Sequence, residues 1–219
     1  CVLVYAVSGA FCANFYLRSN NSWNTDGAWT DSDGNPLTGV PGEDDNVYIL
    51  DGVTCTIPSS IVCSALTLNG ILDFSSGTSI TTKKAFTNNS SLTASDSKVL
   101  TLNVEGIQNN GTLLMEGNLS SIHVSRAILN SSDSSHAKFG NVYVDFSSNT
   151  DEVFTFMGGE GIFQSIAFEN GPFSGKTFDL QSGKIQNLDL SSFNNSTVNL
   201  KGNETLIIDN FRMADAAGS

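Results

Sequence analysis

From about Val47 onward the chain runs in short stretches of alternating apolar and polar residues, each broken after a few positions by Gly, Ser or Asn. Val47-Tyr48-Ile49-Leu50, Ala65-Leu66-Thr67-Leu68, Val99-Leu100-Thr101-Leu102 and Val142-Tyr143-Val144-Asp145-Phe146 are of this kind. So are Phe154-Thr155-Phe156, Thr177-Phe178-Asp179-Leu180, Thr197-Val198-Asn199-Leu200 and Leu206-Ile207-Ile208. A period of two built from β-branched and aromatic residues predicts half-buried strands, and no stretch keeps an apolar period of 3.6 over a helical length. The segments beginning SALTLNGILDF, KVLTLNVEGIQNNGTLLM and KTFDLQSGKIQNLDL share one design: an apolar-x-apolar step, a Gly or Asn turn, and a second such step. That irregular self-similarity predicts an all-β, right-handed parallel β-solenoid whose inward residues stack in columns. The alternative is an antiparallel β-sandwich, whose tight hairpins Asn69-Gly70 and Asn110-Gly111 could supply.

Charge narrows the function classes. A formal net charge of −12 argues against nucleic acid, which is bound through clustered Lys and Arg, and against an anionic membrane surface. Only 15% of residues are charged, so the acidity reflects few bases rather than acidic blocks. The surface is expected to be mostly Ser, Thr, Asn and Gly.

Several features point outside the cell. N-x-S/T sequons begin at Asn20, Asn88, Asn89, Asn110, Asn118, Asn130, Asn194, Asn195 and Asn203, and in a eukaryotic source they are candidates for glycosylation. Cys55 and Cys63 flank the turn-like IPSS, where a disulfide would close a short loop; the alternative is two buried thiols. Cys1 and Cys12 form a second potential pair. No cysteine–histidine spacing suits a zinc site. Residues 1–19 form an apolar segment in which Ala10-Phe11-Cys12 resembles a signal-peptidase site, but no basic residues precede it. It is read as a strand retained for assembly, with a signal-peptide remnant as the alternative, and residues 20–219 as a single solenoid domain.

Residues 20–52 form a Trp-containing lead-in rich in turn residues. The run Trp23…Trp29…Val40-Pro41-Gly42…Asp45-Asn46-Val47-Tyr48-Ile49…Gly52-Val53, followed by Ala65-Leu66-Thr67-Leu68-Asn69-Gly70-Ile71-Leu72-Asp73-Phe74, resembles the opening of G8 domains in extracellular β-helix proteins. The likeness covers about residues 23–75, and departs from the family in placing Asp44-Asp45 where Gly-Asp is usual. It implies a secreted or cell-surface β-helix, with ties to polysaccharide in several members and no shared active site. Physically, Trp23 and Trp29 are expected to cover the open apolar end of the stack, with a sugar-stacking platform as the alternative. Asp31, Asp33 and Asn35 place oxygen ligands at alternate positions, as a calcium loop begins. Pro36 follows and the EF-hand glutamate is missing, so an Asx-rich turn is the competing reading.

Catalytic signals are sparse. Asn-Thr-Asp occurs at 24–26 and 149–151, a tripeptide of polygalacturonase-type sites, without the partner elements of such a site. His123 lies in a strand-like IHVS and His136 in a polar loop; no nucleophile elbow or phosphate loop is present. The expected function is therefore a secreted or cell-surface structural or adhesive glycoprotein, a subunit of a fibre assembled head-to-tail, with copies of itself as partner and no cofactor. A carbohydrate-binding module is the first alternative, a polysaccharide-cleaving β-helix enzyme the second.

Overall fold

The structure, a computed structural model, describes residues 12–146, 153–170, 173, 175–192, 196–201 and 205–213. Every regular element among them is a strand: β1 (Asn14–Leu17), β2 (Asn21–Ser22), β3 (Trp29–Thr30), β4 (Asn46–Ile49), β5 (Thr54–Ile57), β6 (Ile61–Cys63), β7 (Ala65–Leu68), β8 (Ile71–Phe74), β9 (Thr78–Asn88) and β10 (Ser91–Ala94). They continue as β11 (Leu100–Asn109), β12 (Thr112–Met115), β13 (Ser121–Asn130), β14 (Ala137–Lys138), β15 (Asn141–Asp145), β16 (Val153–Glu169), β17 (Thr177–Leu190), β18 (Thr197–Leu200) and β19 (Leu206–Met213).

Apart from β1 with β3, these strands pair in parallel, one coil to the next, and build a β-solenoid of about seven turns. The sandwich alternative is thereby excluded. Three faces run along the stack. On the first, Phe15, Val47, Leu66, Phe86, Ile107, Ile128, Phe156, Leu180 and Leu200 share one column. On the second, Cys55, Leu72, Leu92, Leu113 and Ala137 lie above one another. On the third, Ile61, Ile80, Leu102, Ile122, Val142, Ile166, Leu188 and Phe211 align. Each column exists because alternate residues of a strand share a face, and parallel register repeats that face at every turn. Burying one such Leu, Ile or Phe contributes about 2 kcal/mol. The core changes character along the axis: aliphatic in the early coils, it becomes aromatic where Phe139, Phe154, Phe156, Phe163, Phe168 and Phe178 pack in stacked and edge-on pairs.

The solenoid begins earlier than residue 20. β1 pairs along its whole length with β4, and Phe15 and Leu17 are buried, so Asn14–Leu17 is the first rung of this molecule's own stack. Residues 1–11 of the apolar segment lie outside the described residues. Cys55 and Cys63 are both free and buried, one in the second-face column and one in the third. The expected bridge is therefore absent: each side chain points into the core beneath its own neighbour, Leu72 or Thr82. Burial pushes both thiols up to about 12, so neither is a thiolate at neutral pH. Cys12 is an exposed free thiol accepting from Asn46 Nδ2, and Cys1 lies outside the described residues.

Candidate functional site: a cleft on the third face and an open last coil

The two ends of the stack differ. At the first coil Trp29 is fully buried and Trp23 3% exposed; their rings meet edge-on at 5.4 Å, and Trp29 Nε1 donates to the Trp23 carbonyl. β3 lies antiparallel on β1 and brings Trp29 opposite Leu17, over the apolar end. The tryptophans are the cap, and the sugar-stacking alternative falls because neither ring presents a face to solvent. At the last coil no such cover stands among the described residues. Val198, Leu200, Phe211 and Met213 occupy inward register above Phe178, Leu180, Leu188 and Leu190, yet are 37%, 74%, 53% and 64% exposed.

This last coil is pinned by charge. Lys201 Nζ lies 2.7 Å from Asp179 Oδ2, and Asn199 Nδ2 donates to Asp179 Oδ1 at 2.8 Å. Desolvation pushes the Asp179 carboxyl up, but the bonds from Lys201 and Asn199 outweigh it and hold it below the ordinary 3.8. A depressed carboxyl stabilises the fold above its unfolded value and loses that contribution as pH falls through the folded one. Amide exchange in Thr197–Leu200 should therefore accelerate below about pH 3.8 before exchange in the strand around Phe86 does. Simultaneous acceleration in both strands would count against this pin.

Of the calcium candidates, the Asp31 carboxylate is otherwise engaged. Asp31 Oδ1 accepts from the backbone amides of Asp33 and Asn35, and Oδ2 from Asn35 Nδ2, which together with those amides holds its carboxyl below 3.8. Arg18 donates to the Ser32 carbonyl from outside. The cluster is an Asx-type turn, and among the described residues no three His, Cys, Asp or Glu side chains converge on a metal position. Asp26, in the first Asn-Thr-Asp, accepts from the Gly39 amide and staples the lead-in; the second copy, 149–151, lies outside the described residues.

The sequons divide sharply. Asn20, Asn89, Asn110 and Asn118 are exposed, whereas Asn88 is wholly buried and Asn130 nearly so. With Asn109, these two form an internal ladder at successive turns: Asn88 Nδ2 donates to Asn109 Oδ1, and Asn109 Nδ2 to Asn130 Oδ1, each at 2.8 Å. Their second amide hydrogens go to the carbonyls of Thr112 and Gly111, and Asn130 Nδ2 closes the series on the Ser132 and Gly158 carbonyls. A glycan on Asn88 or Asn130 would have to replace one of these hydrogens inside the core, so both leave the list of acceptor sites. Asn194, Asn195 and Asn203 lie outside the described residues.

The most chemically furnished surface is a cleft of about 510 Å³ on the third face, lined by Lys83, Asn103, Glu105, His123, Asp145 and Glu169 among others. His123 and Glu169 come from different turns, β13 and β16, with Tyr143 of β15 in register between His123 and Ala167. The Tyr143 ring stacks on the imidazole, centroids 5.0 Å apart and planes 18° from parallel. His123 Nδ1 is 2.5 Å from Glu169 Oε1, and His123 Nε2 is 3.2 Å from Ser121 Oγ. An ionised carboxylate only accepts, so Nδ1 carries the proton and Nε2 is left to accept from the serine hydroxyl. Asn170, directly after Glu169, has φ of 53° and donates to Asp145 Oδ2, which ends β16 in a tight left-handed turn at the cleft wall. His136 differs: Ser135 Oγ and Asp133 Oδ1 both address its Nδ1 within one exposed turn, and bonds from Ser135 and His136 lower Asp133 to about 2. That arrangement is a knotted loop, with no relay through the ring.

Sequence reasoning named His123 without its partners. Ser121 is two residues away on the same strand and could have been noticed, whereas Glu169 is brought in only by the stacking of turns. Comparison with protein-family models, with curated proteins and with solved structures returns no match, so the G8 likeness stands on residues 23–75 alone.

Proposed function

We propose that the chain is a secreted or cell-surface structural or adhesive solenoid, a unit of an extracellular fibre whose copies add end to end. The observation that supports this reading is the coil of Thr197–Met213: four side chains in core register that no described residue covers. Exposed apolar rungs with unpaired strand edges recruit another strand. The occupant is a second copy, delivered through its residues 1–11, whose run Val2-Leu3-Val4-Tyr5-Ala6-Val7 is apolar at every position and so suited to burial. A joint between unlike ends repeats into an open filament rather than closing. In this reading the surface sequons Asn20, Asn89, Asn110 and Asn118 carry the glycans.

The full chain should form filaments visible by electron microscopy and sediment as a broad series of oligomers. Leu200→Ser, Phe211→Ser and Met213→Ser combined should leave folded monomers that still melt cooperatively, because these side chains are exposed in the single chain and only assembly buries them. Deleting residues 1–11 should do the same. Filaments that persist in both variants would refute the joint. A second reading, recognition of an extended polysaccharide, is favoured by the cleft that bears His123, Asp145 and Asn103; a glycan array probed with the monomeric variant separates the two.

A further inference from the structure

We propose that Ser121, His123 and Glu169 form a serine-hydrolase site that cleaves carboxylic esters of small acyl groups carried on an extended polymer such as a polysaccharide. The geometry is that of nucleophile, base and orienting acid, with the two ring nitrogens serving opposite partners: Nε2 faces Ser121 Oγ at 3.2 Å and Nδ1 faces Glu169 Oε1 at 2.5 Å. Ser135, His136 and Asp133, by contrast, meet around one nitrogen within a single loop. Around His123 the acid arrives from 46 positions away, across a turn of the solenoid.

The site is also held in place. Ser121 and His123 project from one face of a strand paired on both sides, so neither backbone can rotate. Tyr143 stacks on the imidazole and fixes its plane. His123 and Glu169 are 32% and 29% exposed, which leaves the pair partly desolvated, and Ser121 beside them is half-buried. Thr101 and Asn141 stand in register one rung to either side of Ser121, about 4.8 Å away along the stack. Asn141 Nδ2 spends one hydrogen on the Asn118 carbonyl, and its second N–H and the Thr101 hydroxyl are donors on the rungs flanking the serine. An open ledge of stacked strands suits a polymer lying across the rungs better than a small buried molecule.

The reaction balances with water as the only co-reactant. Ser121 Oγ adds to the ester carbonyl carbon as its proton passes to His123 Nε2, and Glu169 stabilises the imidazolium. The tetrahedral adduct expels the alcohol oxygen, which takes the proton from Nε2, and leaves an acyl-serine. Water then adds to that ester with its proton going to Nε2, and collapse releases the carboxylic acid and returns the proton to Oγ.

The test uses the full chain with a fluorophosphonate probe, read by intact mass and peptide mapping, and p-nitrophenyl acetate turnover. Ser121 should be phosphonylated; Ser121→Ala should abolish labelling and turnover, and His123→Asn should slow both by at least about 100-fold. Glu169→Gln presents an amide N–H to Nδ1 and moves the ring proton to Nε2. It should therefore lower kcat about 100-fold or more with KM unchanged, which a merely structural residue would not do. Melting curves confirm that each variant is folded. Wild-type protein that leaves Ser121 unlabelled, or labelling that survives His123→Asn, overturns the proposal, whatever the state of assembly at the last coil.

Discussion

Gly111→Ala should destabilise the solenoid by about 3 kcal/mol and lower its melting temperature by roughly 10 °C. The cause is crowding between turns rather than backbone conformation. A Cβ on Gly111 would lie 2.2 Å from the Ser90 carbonyl oxygen and 2.7 Å from the Ser90 nitrogen, both backbone atoms of the turn below. Thr112 also donates its amide to that same Ser90 carbonyl, so the two turns cannot part locally without breaking a hydrogen bond. Gly70 is in the same position two coils lower, with the Leu50 and Val53 carbonyl oxygens each 2.3 Å from its absent Cβ. Gly52 is the control: its φ is 72°, but nothing lies within 4 Å of a Cβ there. Gly52→Ala should cost only about 1 kcal/mol, the strain of a left-handed alanine. Thermal melts followed by circular dichroism decide the matter. A Gly111→Ala protein that melts with the wild type, or a larger loss at Gly52, would show that the turns are not in such close contact.

These glycines also mark where the sequence could mislead. Asn69-Gly70 and Asn110-Gly111 have the composition of hairpin turns, and in a single chain nothing separates that use from a corner where one coil rests on the next. The periodic runs were legible because alternation is a local property: Ala65–Leu68, Asn141–Asp145 and their like are strands with the expected face inward. What alternation cannot express is which turn lies above which. Phe86, Ile107 and Ile128 follow one another at the 21-residue spacing of the asparagines beside them, but the next step widens to 28 at Gly158. A fixed repeat therefore fails just where β16 begins. The same limit hid the link from His123 to Glu169, and it made the buried asparagines look like surface sequons. Asn-x-Ser describes three residues of a chain, and the ladder that occupies Asn88 and Asn130 runs perpendicular to them.

That ladder should respond to substitution according to chemistry. Asn109, in the middle, gives both amide hydrogens to acceptors, Asn130 Oδ1 and the Gly111 carbonyl, and receives one from Asn88. Asn109→Asp keeps the shape but sets carboxylate oxygen against those two acceptors, at a site with no solvent exposure. The expected cost is about 4 kcal/mol at neutral pH, that of a buried charge without a partner. Burial would raise the new carboxyl above its unfolded value. The neutral acid is then the form the fold tolerates, and the deficit should shrink as pH falls toward that unfolded value and grow as pH rises through the folded one. Asn109→Leu removes the charge problem and leaves Asn88 Nδ2 its bond to Thr112 and Asn130 Oδ1 its bond from the Ser132 amide, so about 2 kcal/mol should be lost. Asn88→Leu should cost about as much, because it takes from the buried Asn109 Oδ1 the hydrogen that Asn88 Nδ2 donates. Leu68 already occupies the adjoining rung of the same column, which shows that leucine fits the space at that end of the ladder. The predicted order of stability at pH 7 is wild type, then the two leucine variants, then Asn109→Asp, read from urea midpoints. If Asn109→Asp matched Asn109→Leu and showed no recovery in acid, the amide chain would have to be solvated, and the asparagines could not be the internal seam that aligns these turns.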